Sequence, residues 1–231
     1  FDIRSQDDLA LVAEAVAEEV NICGSSAIGE FLPGAYHRLQ AADAVTAAGQ
    51  ALLVAGSLTD QSKAQTAHIR ALGWQVFELE SCAVFDPERQ REAEQELIRK
   101  ASAAMAETGY AMICSQQDAK KAAEAKAQGS RLGLSWQDVG RLISGSLSYA
   151  AEEILRQTGC RNLVVAGGDT SAAVTRQLGI YRMEIGREIE PGVPFMSGEC
   201  RLGTLNLVLK SGSFGSEAFL EKAAVSTVNG G

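Results

Sequence analysis

The stretch that decides the fold is LVVAGGDTSAAVTRQLGI, residues 163–180. Its first four residues form a continuous apolar run, which is typical of a strand buried on both faces of a parallel sheet. The segment Gly167-Gly168-Asp169-Thr170-Ser171 then turns the chain, and Ala172, Val174 and Leu178 continue at helical spacing up to Gly179. A strand, a glycine turn and a helix in direct succession form the repeating unit of an α/β fold.

The same unit recurs along the chain. ALLVA at residues 51–55 is a second apolar strand, and the turn 56–60 leads into a helix that Thr59 or Asp60 caps and Gly73 ends. Residues 116–130 lack an apolar stripe and are predicted to be an exposed helix or loop. Short apolar runs predict strands over 74–79 and 110–114. Asp86-Pro87 predicts the start of a helix that runs to about residue 105, and a second helix is predicted between a Ser135/Asp138 capping box and Gly159.

The two ends of the chain carry other patterns. Near the N-terminus we expect a helix over about residues 6–19, a short strand over 20–23 and a helical pattern from Ile28 to Leu39. Strands over 181–185, 193–196 and 205–209 follow one another too closely for crossover helices, so antiparallel pairing is expected there. A short helix through Phe219 and Leu220 follows them. We predict an α/β fold of three layers, with a mainly parallel sheet, helices on both faces and an antiparallel or mixed C-terminal edge.

Composition excludes several function classes. The 231 residues carry 21 basic and 29 acidic side chains and a formal charge of −8, which disfavours binding to nucleic acid or to anionic lipid. Five scattered cysteines and two histidines fit neither a disulfide framework nor a structural zinc site. No apolar run approaches the ~18 residues of a membrane span. These features predict a cytoplasmic protein without nucleic-acid or membrane partners.

Three turns rich in glycine and hydroxyl side chains follow predicted strands. They are 56–59, 167–171 and 210–215, and they would meet at the carboxyl edge of the sheet, where α/β proteins bind ligands. Glycines let backbone N–H groups approach phosphate oxygens, and the following helix offers its positive N-terminus. Lys210 adds a point charge beside those amides. The candidate ligand-binding residues are Ser57, Gly167, Gly168, Asp169, Thr170, Lys210, Ser211, Gly212 and Gly215.

Each of these residues also has a structural interpretation. The glycine turns could be purely geometric, and none matches a P-loop or a GxGxxG fingerprint. Asp169 could contact Mg²⁺ or a ligand hydroxyl, or it could be the N-cap of its helix. Glu188 and Glu190 could contact a metal or be solvated side chains, and His37 and His68 are expected to be surface or packing residues. Trp74, Trp136 and Phe214 are expected in the core. Alternatively, Phe214 could cover a planar ring, as could Leu58.

Several of these motifs together resemble a known family. VVAGGDTSAAVTRQLGI (164–180), EIEPGVP (188–194) and LNLVLKSGSFGSEAF (205–219), in this order and spacing, resemble the C-terminal nucleotide-binding domain of the four-carbon acid sugar kinases. LLVAGSLTDQSKAQ (52–65) is similar to the first strand and turn of that domain. NICGSSAIGEF (21–31) is similar to the end of the family's substrate domain, so residues 1–45 are expected to be its remnant and 46–231 the nucleotide-binding domain.

The resemblance implies a function and a set of contacts. ATP would be held by Ser57, the 167–170 segment and Gly212, with Mg²⁺, and its γ-phosphate would pass to an acid such as threonate, erythronate or 3-oxo-tetronate. The general base would lie in a substrate domain that this sequence lacks. The chain alone is then expected to bind nucleotide with little or no turnover, and a homodimer is possible.

Three other functions remain open at this point. The same turns could serve a non-catalytic nucleotide- or anion-binding regulatory module. A dinucleotide-dependent dehydrogenase is disfavoured because the chain has no GxGxxG followed by an acidic residue about 20 positions later. A structural or interaction domain would make the turns purely geometric.

Overall fold

The structure is a computed structural model that describes residues 3–17, 19, 22–23, 26–32 and 49–229. The chain divides into two compact units, Phe1–Ala41 and Ala42–Gly231. In the first unit, helix α1 (Gln6–Val16) begins at a capping box formed by Ser5 and Asp8, and a 3₁₀ helix spans Ser26–Glu30. The predicted helix is therefore confirmed, although it ends earlier than residue 19.

Other predictions for the N-terminal part cannot be compared in full. Of the strand expected over 20–23, residues 22 and 23 are described, and neither lies in a strand. The helical pattern expected from Ile28 to Leu39 begins as the 3₁₀ helix, and its remainder, including His37, lies outside the described residues. The assignment of residues 1–45 to a substrate domain stays a prediction.

The second unit alternates strands and helices and then forms an antiparallel meander. The strands are β1 (Ala51–Ala55), β2 (Gln75–Leu79), β3 (Tyr110–Ser115), β4 (Asn162–Ala166), β5 (Arg182–Glu190), β6 (Val193–Cys200) and β7 (Gly203–Lys210). The helices are α2 (Asp60–Ala71), α3 (Pro87–Thr108), α4 (Ala119–Arg131), α5 (Trp136–Thr158), α6 (Gly168–Leu178) and α7 (Phe219–Asn229).

Within residues 49–229, seven strands form one sheet in the order β2-β3-β1-β4-β7-β6-β5. The neighbours from β2 to β7 pair in parallel, whereas β7, β6 and β5 pair antiparallel. The β5–β6 hairpin closes through the predicted Glu190-Pro191-Gly192 turn. The predicted α/β class with a mixed C-terminal edge is therefore confirmed.

The central strands are buried on both faces, as their unbroken apolar runs predicted. Leu52 and Val54 of β1 point into one core, which α3, α5 and α6 cover. Ala51, Leu53 and Ala55 point into a second core on the opposite face, which contains residues of α2 and α7. Alternation along a single strand thus divides the apolar side chains between two helix layers.

Local capping signals place most helix ends. Asp86 caps α3 by accepting hydrogen bonds from the amides of Glu88 and Arg89, and Pro87 occupies the first helical position. Gly159 ends α5 in the left-handed conformation, with φ +70°. The 116–130 segment proves to be mostly helix α4, whose N-cap is Asp118.

Two aromatic residues that were predicted to be core residues lie outside the core. Trp136 is 40% exposed and Phe214 is 44% exposed, because they lie in the first turn of α5 and in the loop after β7. Trp74 is partly buried against the second core and stacks on Tyr110, with ring centroids 4.1 Å apart. Among the described residues, no helix combines the length and the apolar character that a membrane span requires.

Candidate functional site

The three glycine turns predicted from the sequence meet at one edge of the sheet. The amide of Gly56, after β1, donates to the carbonyl oxygen of Ala166 in β4 over 3.1 Å. The amide of Gly167, after β4, donates to the carbonyl oxygen of Lys210 in β7 over 2.8 Å. Since β1, β4 and β7 are neighbours, their carboxyl ends bring the turns side by side.

The turns approach each other so closely that side chains would clash. A Cβ on Gly56 would lie 2.0 Å from Oγ1 of Thr170, and a Cβ on Gly212 would lie 2.2 Å from Oγ of Ser57. Gly167 has φ +116°, and its added Cβ would lie 3.2 Å from the amide nitrogen of Ser57. Glycine is therefore required at these positions by the packing of the turns, whatever ligand they bind.

The N-terminus of α6 carries unsatisfied donors at this edge. Its N-cap is Gly167, which offers no side-chain cap, and Gly168 and Asp169 follow as exposed residues of the first turn. The N-cap interpretation of Asp169 is therefore wrong, because this residue lies inside the helix. Free N–H groups and the positive end of the helix dipole favour an anion here.

A cavity of about 270 Å³ opens beside these turns. One wall is polar and includes Ser57, Gly167, Gly168, Asp169 and Thr170. The other wall comes from α4 and α5 and is largely apolar. The lining residues of the cavity besides those of the polar wall are Gly56, Leu58, Ser81, Ser115, Ala122, Ala125, Trp136, Gln137, Gly140, Ile143 and Ser144.

The sequence interpretation missed several of these lining residues. Ser81 and Ser115 follow or end β2 and β3, so the rule that identified the glycine turns could have identified them. Trp136 was assigned to the core, and no signal marked Ala122 or Ala125. Leu58 lines the cavity, which fits the suggestion that it covers a planar ring.

Lys210 lies beneath its loop and is not among the residues that line the cavity. Its side chain is 3% exposed, and Nζ donates to the carbonyl oxygens of Phe214 (2.9 Å) and Gly212 (3.2 Å). Burial lowers the pKa of Lys210 to about 8. Gly212 lies against Ser57, Ser211 is exposed and Gly215 packs on Phe219. None of these three residues lines the cavity.

The acidic residues of the β5–β6 turn bind protein groups. Glu188 accepts a hydrogen bond from the amide of Gly192 over 2.6 Å. Glu190 accepts from Lys222 Nζ and from the amide and hydroxyl of Ser216, each over 2.6 Å. Burial opposes ionisation of Glu190, but these hydrogen bonds prevail and lower its pKa to about 2. Both carboxylates thus brace the turn.

Other candidate groups lie apart from the site. Nε2 of His68 lies 2.7 Å from Oε2 of Glu221, where the partly exposed pair links α2 to α7. Within the part of the chain that the structure describes, no cluster of three or more His, Cys, Asp or Glu side chains could hold a metal ion.

Comparison with known proteins identifies the family. Residues 52–220 match the family described as the nucleotide-binding C-terminal domain. The chain belongs to the four-carbon acid sugar kinase family, through its nucleotide-binding C-terminal domain. The resemblance inferred from the three motifs is thus confirmed.

Relatives and solved structures cover a longer protein. The chain is 32% identical over 229 residues to the 3-oxo-tetronate kinase of Burkholderia multivorans, a match that covers 96% of this chain and 50% of the relative. A crystal structure from Haemophilus influenzae has a TM-score of 0.73 at 26% identity and covers 96% of this chain and 52% of that one. A Salmonella typhimurium structure has a TM-score of 0.77 at 23% identity, which shows the fold alone, with coverage of 96% and 51%. The chain spans about half the length of the relatives it matches.

Proposed function

We propose that this chain is the ATP-binding portion of a kinase that transfers the γ-phosphate of ATP to a small four-carbon sugar acid of the threonate, erythronate and 3-oxo-tetronate class. The observation that carries the proposal is the convergence of three glycine turns on the N-terminus of α6, beside a cavity of about 270 Å³. The kinase name of the Burkholderia multivorans relative supports the reaction type and the acid substrate.

The polar wall suits the phosphates of ATP. The first-turn amides of α6 present N–H groups at Gly168 and Asp169, and Ser57 and Thr170 add hydroxyl groups nearby. Helix N-termini stabilise phosphate because their orphan N–H groups and dipole both favour negative charge. No side chain caps this helix, so a phosphate oxygen can take the position that a capping residue would have.

The apolar wall suits the nucleoside end. Trp136 and Ile143 line it together with the small residues Ala125 and Gly140, and Leu58 of the turn after β1 adds an apolar side chain to the cavity. A planar base gains free energy from apolar burial and from aromatic stacking, and the exposed ring of Trp136 is available for both. We therefore assign the base to the α4–α5 side and the phosphates to the α6 side.

Mg²⁺ would accompany the nucleotide. The carboxylate of Asp169 is exposed at the cavity and offers oxygen ligands of the kind that Mg²⁺ takes together with phosphate oxygens. The ion would neutralise charge on the phosphates. The acid substrate and its general base belong, in this proposal, to the half of the kinase that the relatives have beyond the matched region. A cytoplasmic location and a homodimeric state stay predictions.

A glycine-to-alanine pair tests the nucleotide site. Gly168 lines the cavity, and a Cβ on it would meet no atom within 4 Å, so the added methyl group would not disturb the fold. It would obstruct the approach of phosphate to the α6 amides. We expect Gly168→Ala to weaken ATP binding by about 10-fold to about 100-fold, the value of one charge-assisted hydrogen bond, in isothermal titration with MgCl₂.

Gly145→Ala is the matched control. Gly145 is an exposed residue of α5 away from the cavity, and its added Cβ would also meet no atom within 4 Å. This variant should bind ATP with unchanged affinity. If the native chain fails to bind ATP, or if both variants bind as tightly as the native chain, then the nucleotide does not lie on the N-terminus of α6.

A further inference from the structure

The loop of residues 211–216, here called the β7 loop, has its carbonyl oxygens directed at interior donors. The carbonyl oxygen of Gly212 accepts three hydrogen bonds, from Oγ1 of Thr59 (2.9 Å), Oγ of Ser62 (3.1 Å) and Nζ of Lys210 (3.2 Å). Thr59 and Ser62 belong to the start of α2, so this helix and the end of β7 hold the loop from beneath.

Gln65 of α2 holds the rest of the loop. Its Nε2 lies within hydrogen-bond distance of three carbonyl oxygens, those of Phe214 (3.1 Å), Gly215 (3.2 Å) and Ser216 (2.8 Å). Gln61, one turn earlier, donates to the carbonyl oxygen of Gly215 over 2.7 Å. Two amide side chains and one ammonium thus satisfy the carbonyl oxygens of residues 212 and 214–216.

The burial of Gln65 is costly, which indicates that its donor group has a role. The residue is fully buried, and its Oε1 has no hydrogen-bond partner among the described residues. An unpaired buried acceptor costs free energy, and methionine could fill a similar volume without that cost. The same holds for Lys210, whose buried ammonium faces two carbonyl oxygens and forms no ion pair with any described carboxylate.

Some backbone donors of the β7 loop remain free. The amides of Gly212, Ser213 and Gly215 have no acceptor among the described residues. The loop contacts the candidate site at Gly212, where an added Cβ would lie 2.2 Å from Oγ of Ser57, a cavity-lining residue. Successive backbone N–H groups in a turn can form a concavity that binds anions.

We propose that Gln65 and Lys210 are positioning residues: by holding the carbonyl oxygens of the β7 loop inward, they keep its N–H groups directed at the phosphates of the bound nucleotide. The inference rests on the proposed function, since the anion is the phosphate chain of ATP. Neither side chain touches the ligand. Their effect is on affinity for the charged part of the nucleotide and not for the nucleoside.

A comparison of ATP with adenosine tests this role. Gln65→Met removes the donor and retains the length and apolar volume of the side chain. We expect ATP affinity to fall by about tenfold, equivalent to one net hydrogen bond, while adenosine affinity stays unchanged. Isothermal titration of the full chain with each ligand gives both values. A general loss of structure would instead weaken both ligands together.

Gln50→Met provides the matched control. Nε2 of Gln50 donates to the carbonyl oxygen of Met105 over 3.1 Å, just before β1 and therefore at the opposite edge of the sheet. This variant loses the same kind of bond and should change neither affinity. If Gln65→Met proves unfolded, Gln61→Ala decides, because the partly exposed Gln61 can be truncated without opening the core.

The outcomes separate the two proposals. Selective loss of ATP affinity in Gln65→Met, or in Gln61→Ala, supports the positioning role. If the native chain binds ATP but the variant shows unchanged ATP affinity, or equal losses of affinity for ATP and adenosine, the positioning role is overturned. If the native chain binds neither ligand, the proposed function fails first and the inference fails with it.

Discussion

Lys210 lies close to the candidate site but does not line its cavity. Its ammonium is buried, is held by two backbone carbonyl oxygens and is paired with no described carboxylate. Such a charge is tolerated because carbonyl dipoles replace part of its hydration. Its position beneath the β7 loop adds positive potential to an edge of the sheet where a helix N-terminus already favours anions.

The lowered pKa of Lys210 makes a pH-dependent prediction. Its pKa falls from 10.5 to about 8 on folding, because burial disfavours the charged form. Between these values the unfolded chain binds more protons than the folded chain, so the free energy of unfolding attributable to Lys210 should rise with pH. Below about pH 8 this residue contributes no pH dependence.

The measurement compares the native chain with Lys210→Met in urea unfolding at several pH values from about 7 to about 10.5. The difference in free energy of unfolding between the two proteins isolates Lys210 from other titrating groups. It should shift in favour of the native chain as the pH increases. A difference that stays constant with pH would show that the lysine is solvated in the folded protein.

For individual residues, the sequence predicted which residue types form the candidate site better than it predicted where each side chain lies. The spacing placed Ser57, Gly167 and Gly168 at one edge, and the structure brings them together. It predicted that Lys210 would lie beside the amides, whereas the side chain lies under them. Which way the side chain at a strand end points depends on pairing register and on neighbouring helices, which no local pattern encodes.

Among the secondary-structure elements, α5 has the largest influence on the site. Its first turn carries Trp136 and Gln137 into the cavity, and its second carries Gly140. The capping box fixes this turn: Oγ of Ser135 accepts from the amide of Asp138 over 3.1 Å, and Oδ2 of Asp138 accepts from the amide of Ser135 over 3.1 Å. The cap therefore sets the position of the apolar wall.

Removal of the cap should reduce stability. Ser135→Ala is expected to lower the free energy of unfolding by about 1 kcal/mol, because the amide of Asp138 loses its acceptor, the Ser135 hydroxyl. Urea unfolding followed by circular dichroism measures the change. Ser130→Ala, at an exposed position near the end of α4, should leave stability unchanged or raise it slightly. Equal effects of the two substitutions would contradict a specific role for the cap.

Helix α4 shows where the sequence left an element undecided, because an exposed helix and a loop were both predicted for its residues. It packs on α5 through small residues, and a Cβ on Gly129 would lie 2.4 Å from Cγ2 of Val139. Close packing of this kind needs no stripe of large apolar side chains, so hydrophobic periodicity gives no signal. By contrast, the start of α3 and both ends of α5 carry local capping chemistry and were predicted correctly, whereas α3 ends at Thr108, later than the predicted residue 105.

For the whole molecule, the sequence specified the layers but not the order of the strands. Alternating apolar runs and helices predicted a parallel sheet, and the short spacing after residue 181 predicted the antiparallel edge. The order β2-β3-β1-β4-β7-β6-β5 places the first strand near the middle. That arrangement arises from contacts between residues far apart in sequence, which local patterns do not contain.

One of the two cores depends on the last helix. Phe219, Leu220 and Ala223 of α7 pack with Leu53 of β1 and Val164 of β4. Because Phe219 is fully buried, Phe219→Ala should lower the free energy of unfolding by about 3–5 kcal/mol. Urea or thermal unfolding would show the effect as a shifted midpoint.

Phe214→Ala serves as the comparison within the same segment. Phe214 is 44% exposed, so the same truncation should cost about 1 kcal/mol or less. Similar losses for the two variants would mean that α7 does not seal this core.

The position of α7 at the end of the chain affects how the protein folds during synthesis. During synthesis β1 leaves the ribosome more than a hundred residues before α7, yet α7 supplies part of the apolar cover on that face of the strand. Until then Ala51, Leu53 and Ala55 remain partly uncovered, together with unpaired strand edges. Nascent chains in this condition are prone to aggregate and are typical clients of chaperones.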